Sequence, residues 1–113
     1  MDAFELADLL TEREQSGKLY LEFLRVPALS AGLYVLPAGA TDPQQPHTED
    51  EVYYIVAGRA RILVAGESRP VGPGSIVYVK ANDAHRFHDI TEDLSILVFF
   101  APAEYSLAAK DKG

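Results

Sequence analysis

The residues with chemistry to offer in this 113-residue chain are two histidines, a glutamate and a glutamine, all placed at the edges of apolar runs. The segment from Gly39 to Gly58 reads Gly-Ala-Thr-Asp-Pro-Gln-Gln-Pro-His-Thr-Glu-Asp-Glu-Val-Tyr-Tyr-Ile-Val-Ala-Gly. Residues two apart in extended chain share a face, so Gln45 and His47 are expected to converge. Glu51 opens a run rich in β-branched and aromatic residues, which favours a strand. A turn at Thr48–Asp50 would fold that strand back beside the preceding segment. A second stretch, Gly74 to Asp89, puts His85 at the head of another apolar run. Imidazole nitrogens and a carboxylate oxygen suit a borderline divalent metal, and a neutral amide oxygen is a weaker ligand of the same kind. The plain alternative is a solvated acidic turn at Thr48–Glu51 with unrelated histidines.

The elements that would have to position these groups are short. Residues 2–16 read as an amphipathic helix, with Asp2 and Glu5 as a capping pair and Gly17 as its C-terminal cap. Ala3, Leu6, Ala7 and Leu10 recur at helical spacing and are expected to face the body of the domain. From Lys18 onward the pattern is β. Runs at Leu19–Val26 and Leu29–Leu36 flank Pro27, and Pro37 and Gly39 end the second. Val52–Ala57 and Ala60–Val64 are read as a hairpin turning at Gly58-Arg59. A turn at Ala65-Gly66-Glu67 leads to a strand near Ser68–Val71, and Gly72-Pro73-Gly74 turns again. Runs follow at Ile76–Val79, His85–Ile90 and Leu94–Phe100. Short strands at this spacing predict an all-β sandwich or barrel. The predicted division is a helix at 1–17, a barrel at 18–101 and a loosely docked or frayed tail at 102–113.

Composition narrows the classes. Hydrophobic residues make up 48% and charged residues 24%, ordinary for one globular domain of this length. A net charge of −7 disfavours nucleic acid and anionic membrane surfaces as partners. Without cysteine, thiolate ligands and disulfides are excluded. Asp2 and Glu5 stand where a signal peptide would be basic and then apolar, and no run approaches the ~20 residues of a membrane span, so a cytoplasmic protein is expected. Leu94–Phe100 is apolar on both faces except at Ser95, and Val52, Tyr54 and Val56 form a second apolar face. These predict a cover: the N-terminal helix, a second sheet, or a second copy in a homodimer.

Together the two polar stretches resemble the conserved motifs of the cupin superfamily. In the first, Gly39, Gln45, His47, Glu51 and Gly58 fall on the family's spacing. In the second, Gly74, Lys80, Asn82, His85 and Asp89 do so, with the 15 residues Arg59–Pro73 between. The resemblance spans about residues 30–101 and is similar to that of small single-domain bacterial members. Gln45 stands where the family has its first metal-binding histidine, and Lys80, Asn82 and Asp89 replace Pro, Gly and Asn. Asn82 tolerates the left-handed turn geometry of the glycine it replaces.

The resemblance implies a single small cupin-type, jelly-roll-like β-barrel with a short helix outside. It also implies one divalent metal, Fe, Zn, Mn or Ni, on His47, Glu51 and His85, with Gln45 as ligand or neighbour. Two histidines and a carboxylate leave open positions on the ion. The plain alternative is a barrel whose site has decayed. Tyr53, following Glu51 on its face, and Phe87, following His85, are expected to line the cavity, which would suit a small organic ligand. Ile55 is read as core and His88 as surface or interface. The implied activity is a metal-dependent enzyme of dioxygenase, isomerase or cyclase type; the alternative is a non-catalytic small-molecule sensor or storage protein. A free acid or base in the cavity would separate them, and Tyr53, Tyr78 and Arg61 are the candidates at a distance.

Overall fold

The computed structural model describes residues 1–43 and 46–111. In chain order its elements are α1 (Leu6–Ser16), β1 (Tyr20–Val26), β2 (Leu29–Leu36), β3 (Asp50–Val64), β4 (Glu67–Val71), β5 (Ile76–Val79), β6 (His85–Ala101) and α2 (Ser106–Asp111). The strands run in the order β1-β2-β6-β3-β4, with β5 also paired to β3, and every pairing is antiparallel. The architecture is the expected all-β jelly roll with a short helix outside. Among the described residues, no helix is long and apolar enough to cross a membrane.

The backbone of the fold is a ribbon of two strands, β3 and β6, each longer than its sequence pattern suggests. They pair from Asp50 opposite Ala101 to Val64 opposite His85. Gly58-Arg59 is therefore a bulge inside β3 and not the expected hairpin. Gly58 has φ +92°, and a Cβ there would overlap the carbonyl of Asp93 on β6. The glycine is required by backbone approach across the ladder, which continues on both sides of it with shifted register. The expected runs His85–Ile90 and Leu94–Phe100 are likewise one strand, β6, irregular where Asp89 adopts φ +48°. By contrast, the turn at Ala65-Gly66 forms as expected, with both residues at positive φ, the geometry of a tight two-residue hairpin.

Alternation along the ribbon builds the core. Tyr53, Ile55 and Ile62 of β3 and Phe87, Leu94, Ile96 and Phe100 of β6 are all buried, with Leu36 of β2 and Val79 of β5. Ile55 is core, as expected. On the outer side of β2, α1 buries Leu9 over the sheet. The helix begins at Leu6, with Glu5 as its N-cap and no capping hydrogen bond, so the Asp2–Glu5 pair does not form. Phe4 instead packs its ring on Phe23 of β1 at 5.0 Å, a contact that leaves Phe4 partly exposed. Ala3 and Ala7, expected to face the domain, are exposed. Gly17 does cap the helix in the left-handed conformation, its N–H bonded to Glu14.

Gly58→Ala adds a Cβ in a disfavoured backbone conformation and against the Asp93 carbonyl. A loss of about 2–4 kcal/mol is expected from the two effects together, read as a lowered urea midpoint at unchanged slope. Wild-type stability would mean the strands separate there at no cost.

Candidate metal centre

Loop stitching brings the candidate ligands together. His47 lies in the loop before β3, Glu51 is the second residue of β3, and His85 is the first of β6. The loop after β5 is tied to the loop before β3 at two points. The Asn82 N–H donates to the His47 carbonyl at 2.7 Å, and the Ala81 N–H to the Asp50 carboxylate at 2.9 Å. Asn82 sits at φ +68°, the left-handed geometry expected of it. Earlier in the chain, buried Asp42 accepts from the Tyr34 hydroxyl at 2.6 Å and from the Phe87 N–H at 2.8 Å, fixing the start of the loop that carries His47. Gln45 lies outside the described residues.

His47, Glu51 and His85 are all buried and offer ligand atoms within 4.8 Å of one another, so they could hold a metal ion. His85 Nε2 lies 3.1 Å from Glu51 Oε1, and His47 Nδ1 lies 3.7 Å from the same oxygen. Apart from these approaches to one another, His47 Nδ1, both Glu51 oxygens and His85 Nε2 are buried without hydrogen-bond partners among the described residues. The outer nitrogens are satisfied. His85 Nδ1 is 2.9 Å from the Asp83 carbonyl and donates to it, which leaves the Nε2 lone pair facing inward. His47 Nε2 is 2.9 Å from Glu104 Oε2, which leaves Nδ1 facing inward. Isolated buried carboxylates and imidazole lone pairs are costly, and lone pairs converging on one point are relieved by a cation placed between them.

A cavity of about 200 Å³ adjoins the centre, with His47, Glu51 and Glu104 on its polar side and Tyr20, Tyr34, Phe100 and Tyr105 among its aromatic walls. The Tyr20 ring lies over Gly32, where any Cβ would overlap it, and the Tyr20 hydroxyl is buried without a partner among the described residues. Burial and the nearby carboxylates of Glu104, Glu22 and Glu51 push this phenol far up, so it stays protonated and keeps an O–H to donate.

The conserved Cupin domain matches residues 32–100 of the chain. The chain belongs to the cupin family. An uncharacterised protein of Streptomyces coelicolor is 53% identical over 104 residues, covering 92% of this chain and 99% of that one. The dimethylsulfoniopropionate lyase DddQ of Ruegeria pomeroyi is 36% identical over 59 residues, 51% of this chain and 29% of its own length. Its crystal structure superposes with a TM-score of 0.63 and 30% identity over 67% of this chain and 39% of that one. The structure of KdgF from Halomonas superposes with a TM-score of 0.67 at 23% identity over 74% of this chain and 76% of that one, a likeness of fold.

Several cavity expectations for this cupin are corrected by its geometry. Tyr53 and Phe87 pack edge to face at 5.0 Å and are fully buried. They form the core behind His85, Tyr53 at 6.1 Å from its ring, while residues of β1, β2 and the C-terminal segment wall the cavity. Arg61 bonds Ser68 on the surface and Tyr78 is 59% exposed, so neither reaches the centre. His88 bonds Ser68 and Asp89 near the surface, as expected. The unforeseen residues are Tyr20, Glu49, Asp42 and Glu104. Glu104 follows Pro102 in a segment with no periodicity, so no local signal marks it. Nor is that segment frayed through Leu107: buried Glu49 accepts from the N–H groups of Tyr105 at 2.6 Å and Leu107 at 3.1 Å. Residues 112 and 113 lie outside the described residues.

Burial alone would lower the His85 pKa, but the hydrogen bond and charge of Glu51, with the Asp83 carbonyl, outweigh it and raise the value. The favourable His85–Glu51 pairing in the metal-free protein is therefore complete below the unfolded pKa and is lost as pH rises through the raised folded value. A metal needs the neutral ring. Zinc or cobalt affinity should thus fall with acidification from a pH above the usual histidine value of about 6.5, checked by metal titration across pH. A fall beginning only below that value would contradict the raised pKa.

Proposed function

We propose that this cupin holds one divalent metal on His47, Glu51 and His85 and acts on a small organic molecule, as an enzyme of dioxygenase, isomerase or cyclase type. The observation that carries the reading is the set of three buried side chains whose ligand atoms lie within 4.8 Å of one another. With three protein ligands, a bound ion keeps open positions and supplies a Lewis acid for an oxygen group of the ligand. Around it, Tyr20 holds a proton on its hydroxyl and can donate to a second ligand oxygen. The aromatic walls bound a volume suited to a single substituted ring or a short chain, since a cavity of roughly 150 Å³ accommodates benzene. Rings beside the carboxylates of Glu51 and Glu104 also accommodate an onium group through cation–π contact. The sulfonium carboxylate dimethylsulfoniopropionate, named in the lyase relative, therefore belongs among the substrates tested.

Elemental analysis of the purified chain should give about one divalent ion per chain, and His47→Ala or His85→Ala should each remove it. Full occupancy in both variants would take these residues out of the coordination sphere. The metal-loaded chain is then offered small phenols, diketones, carboxylates and the sulfonium carboxylate, with oxygen consumption and product formation followed. Tight binding of a panel member without turnover would favour the sensor or storage reading.

We infer in addition that the outer sheet face pairs with a second copy. The register places Ile76, Tyr54 and Leu97 in one row and Tyr78, Val52 and Phe99 in the next. Ile76 is 69% and Tyr78 59% exposed, and α1 frames only the Leu97 edge. Light scattering at micromolar concentration should give a dimer mass, and Ile76→Asp should give a monomer. A monomeric wild type would show the face to be free.

A further inference from the structure

We infer that Glu104 is a positioning residue of this centre: it accepts the Nε2 proton of His47 and thereby commits the Nδ1 lone pair to the metal, and Glu49 holds it in place. The inference rests on the proposed metal reading of the site and adds to it a residue from outside both motif stretches.

A neutral imidazole carries one N–H, and the partner of that N–H decides which nitrogen is free to ligate. His47 Nε2 lies 2.9 Å from Glu104 Oε2, while its Nδ1 is buried and unpartnered on the side of Glu51 and His85. A carboxylate in that position fixes the tautomer and makes the ring a more basic ligand. The ring plane is fixed as well. Tyr105 stacks on His47 at 5.2 Å and 29°, and Phe100 lies against it at 4.6 Å.

Glu104 can do this because its backbone is held on both sides. Its N–H donates to Ser30 Oγ at 2.9 Å and its carbonyl accepts from Arg25 at 2.8 Å, which ties it to β2 and β1. On the far side, Glu49 takes the N–H groups of Tyr105 and Leu107 and the hydroxyl of Thr48. Glu49 is 1% exposed and lies in sequence between the ligands His47 and Glu51. A fully buried carboxylate there would be costly without these three donors. The latch thus joins the ligand-bearing loop directly to the segment that carries Glu104, and the geometry of one is set by the other.

The test is a cobalt(II) titration of the metal-free full chain, followed by visible absorption with zinc competition. Glu104→Ala should weaken cobalt binding about 10–100-fold and alter the cobalt absorption band, while the melting temperature of the metal-free variant, followed in parallel, shows that it is folded. The isosteric Glu104→Gln keeps an acceptor oxygen but no charge and should fall between. Glu49→Gln should weaken binding in the same direction and add nothing further in the Glu104→Ala background, because both act through one proton acceptor. Wild-type affinity and spectrum in Glu104→Ala would overturn the inference while leaving the metal site standing, and so would full additivity of the two changes. A wild-type chain that binds no cobalt or zinc would instead overturn the metal reading itself.

Discussion

The curl of the β3–β6 ribbon is the constraint on which the rest of the structure depends. Glu51 lies near one end of the paired stretch, and His85, opposite Val64, lies at the other. In a flat ribbon, the rise per residue would separate those two positions by roughly 43 Å. Instead, His85 Nε2 is 3.1 Å from Glu51 Oε1. Closure of that gap needs strong twist and local breaks in the pairing, which Gly58 and Asp89 supply. Gly58 has to let the β6 backbone come close, and Asp89 takes a left-handed turn that shifts which residues face inward. The barrel exists because the ribbon closes, and the centre exists because the barrel does.

Closure places together groups that attract a cation, be it a metal ion or the proton of His85. The inward nitrogens of two histidines lie against a fully buried glutamate, His85 Nε2 at 3.1 Å and His47 Nδ1 at 3.7 Å from its Oε1. The surrounding structure holds this arrangement by satisfying every outer atom. The Asp83 carbonyl occupies one His85 nitrogen, and the Glu104 carboxylate occupies one His47 nitrogen. Asp42, Asp50 and Glu49 each fasten a loop by accepting from backbone N–H groups. Acidic residues therefore do two kinds of work here. Glu51 faces the two histidines at the centre, and the others accept from backbone N–H groups. The difference is set by position, since the residue type is common to both.

Much of the local structure was legible in the chain. The bounds of β2 and β5, the Ala65-Gly66 turn and the Gly17 cap follow from alternation, β propensity and the steric freedom of glycine, while the left-handed Asn82 follows from the motif glycine it replaces. The same signals misled at Gly58-Arg59 and between Ile90 and Leu94, where glycine and acidic residues look like turns. A bulge and a hairpin use the same residue types, and only the strand alongside distinguishes them. The helix start failed for a similar reason, because Phe4 answers to Phe23, a residue of β1.

By itself the sequence determined the period of each run, the turn chemistry, and the spacing that sets His47, Glu51 and His85 in register with the cupin motifs. Those are properties of neighbours along the chain, and local sterics and hydrogen bonding act over the same range. The tertiary structure alone decided which atoms of those residues are free, which wall the cavity, and that the C-terminal segment belongs to the site. Glu49 and Tyr105 are 56 residues apart, and no pattern along the chain encodes a contact made by closure of the barrel. Tyr20 over Gly32 and Glu104 on His47 are of the same kind: their partners are fixed by the way the ribbon folds over, which depends on the whole set of pairings at once.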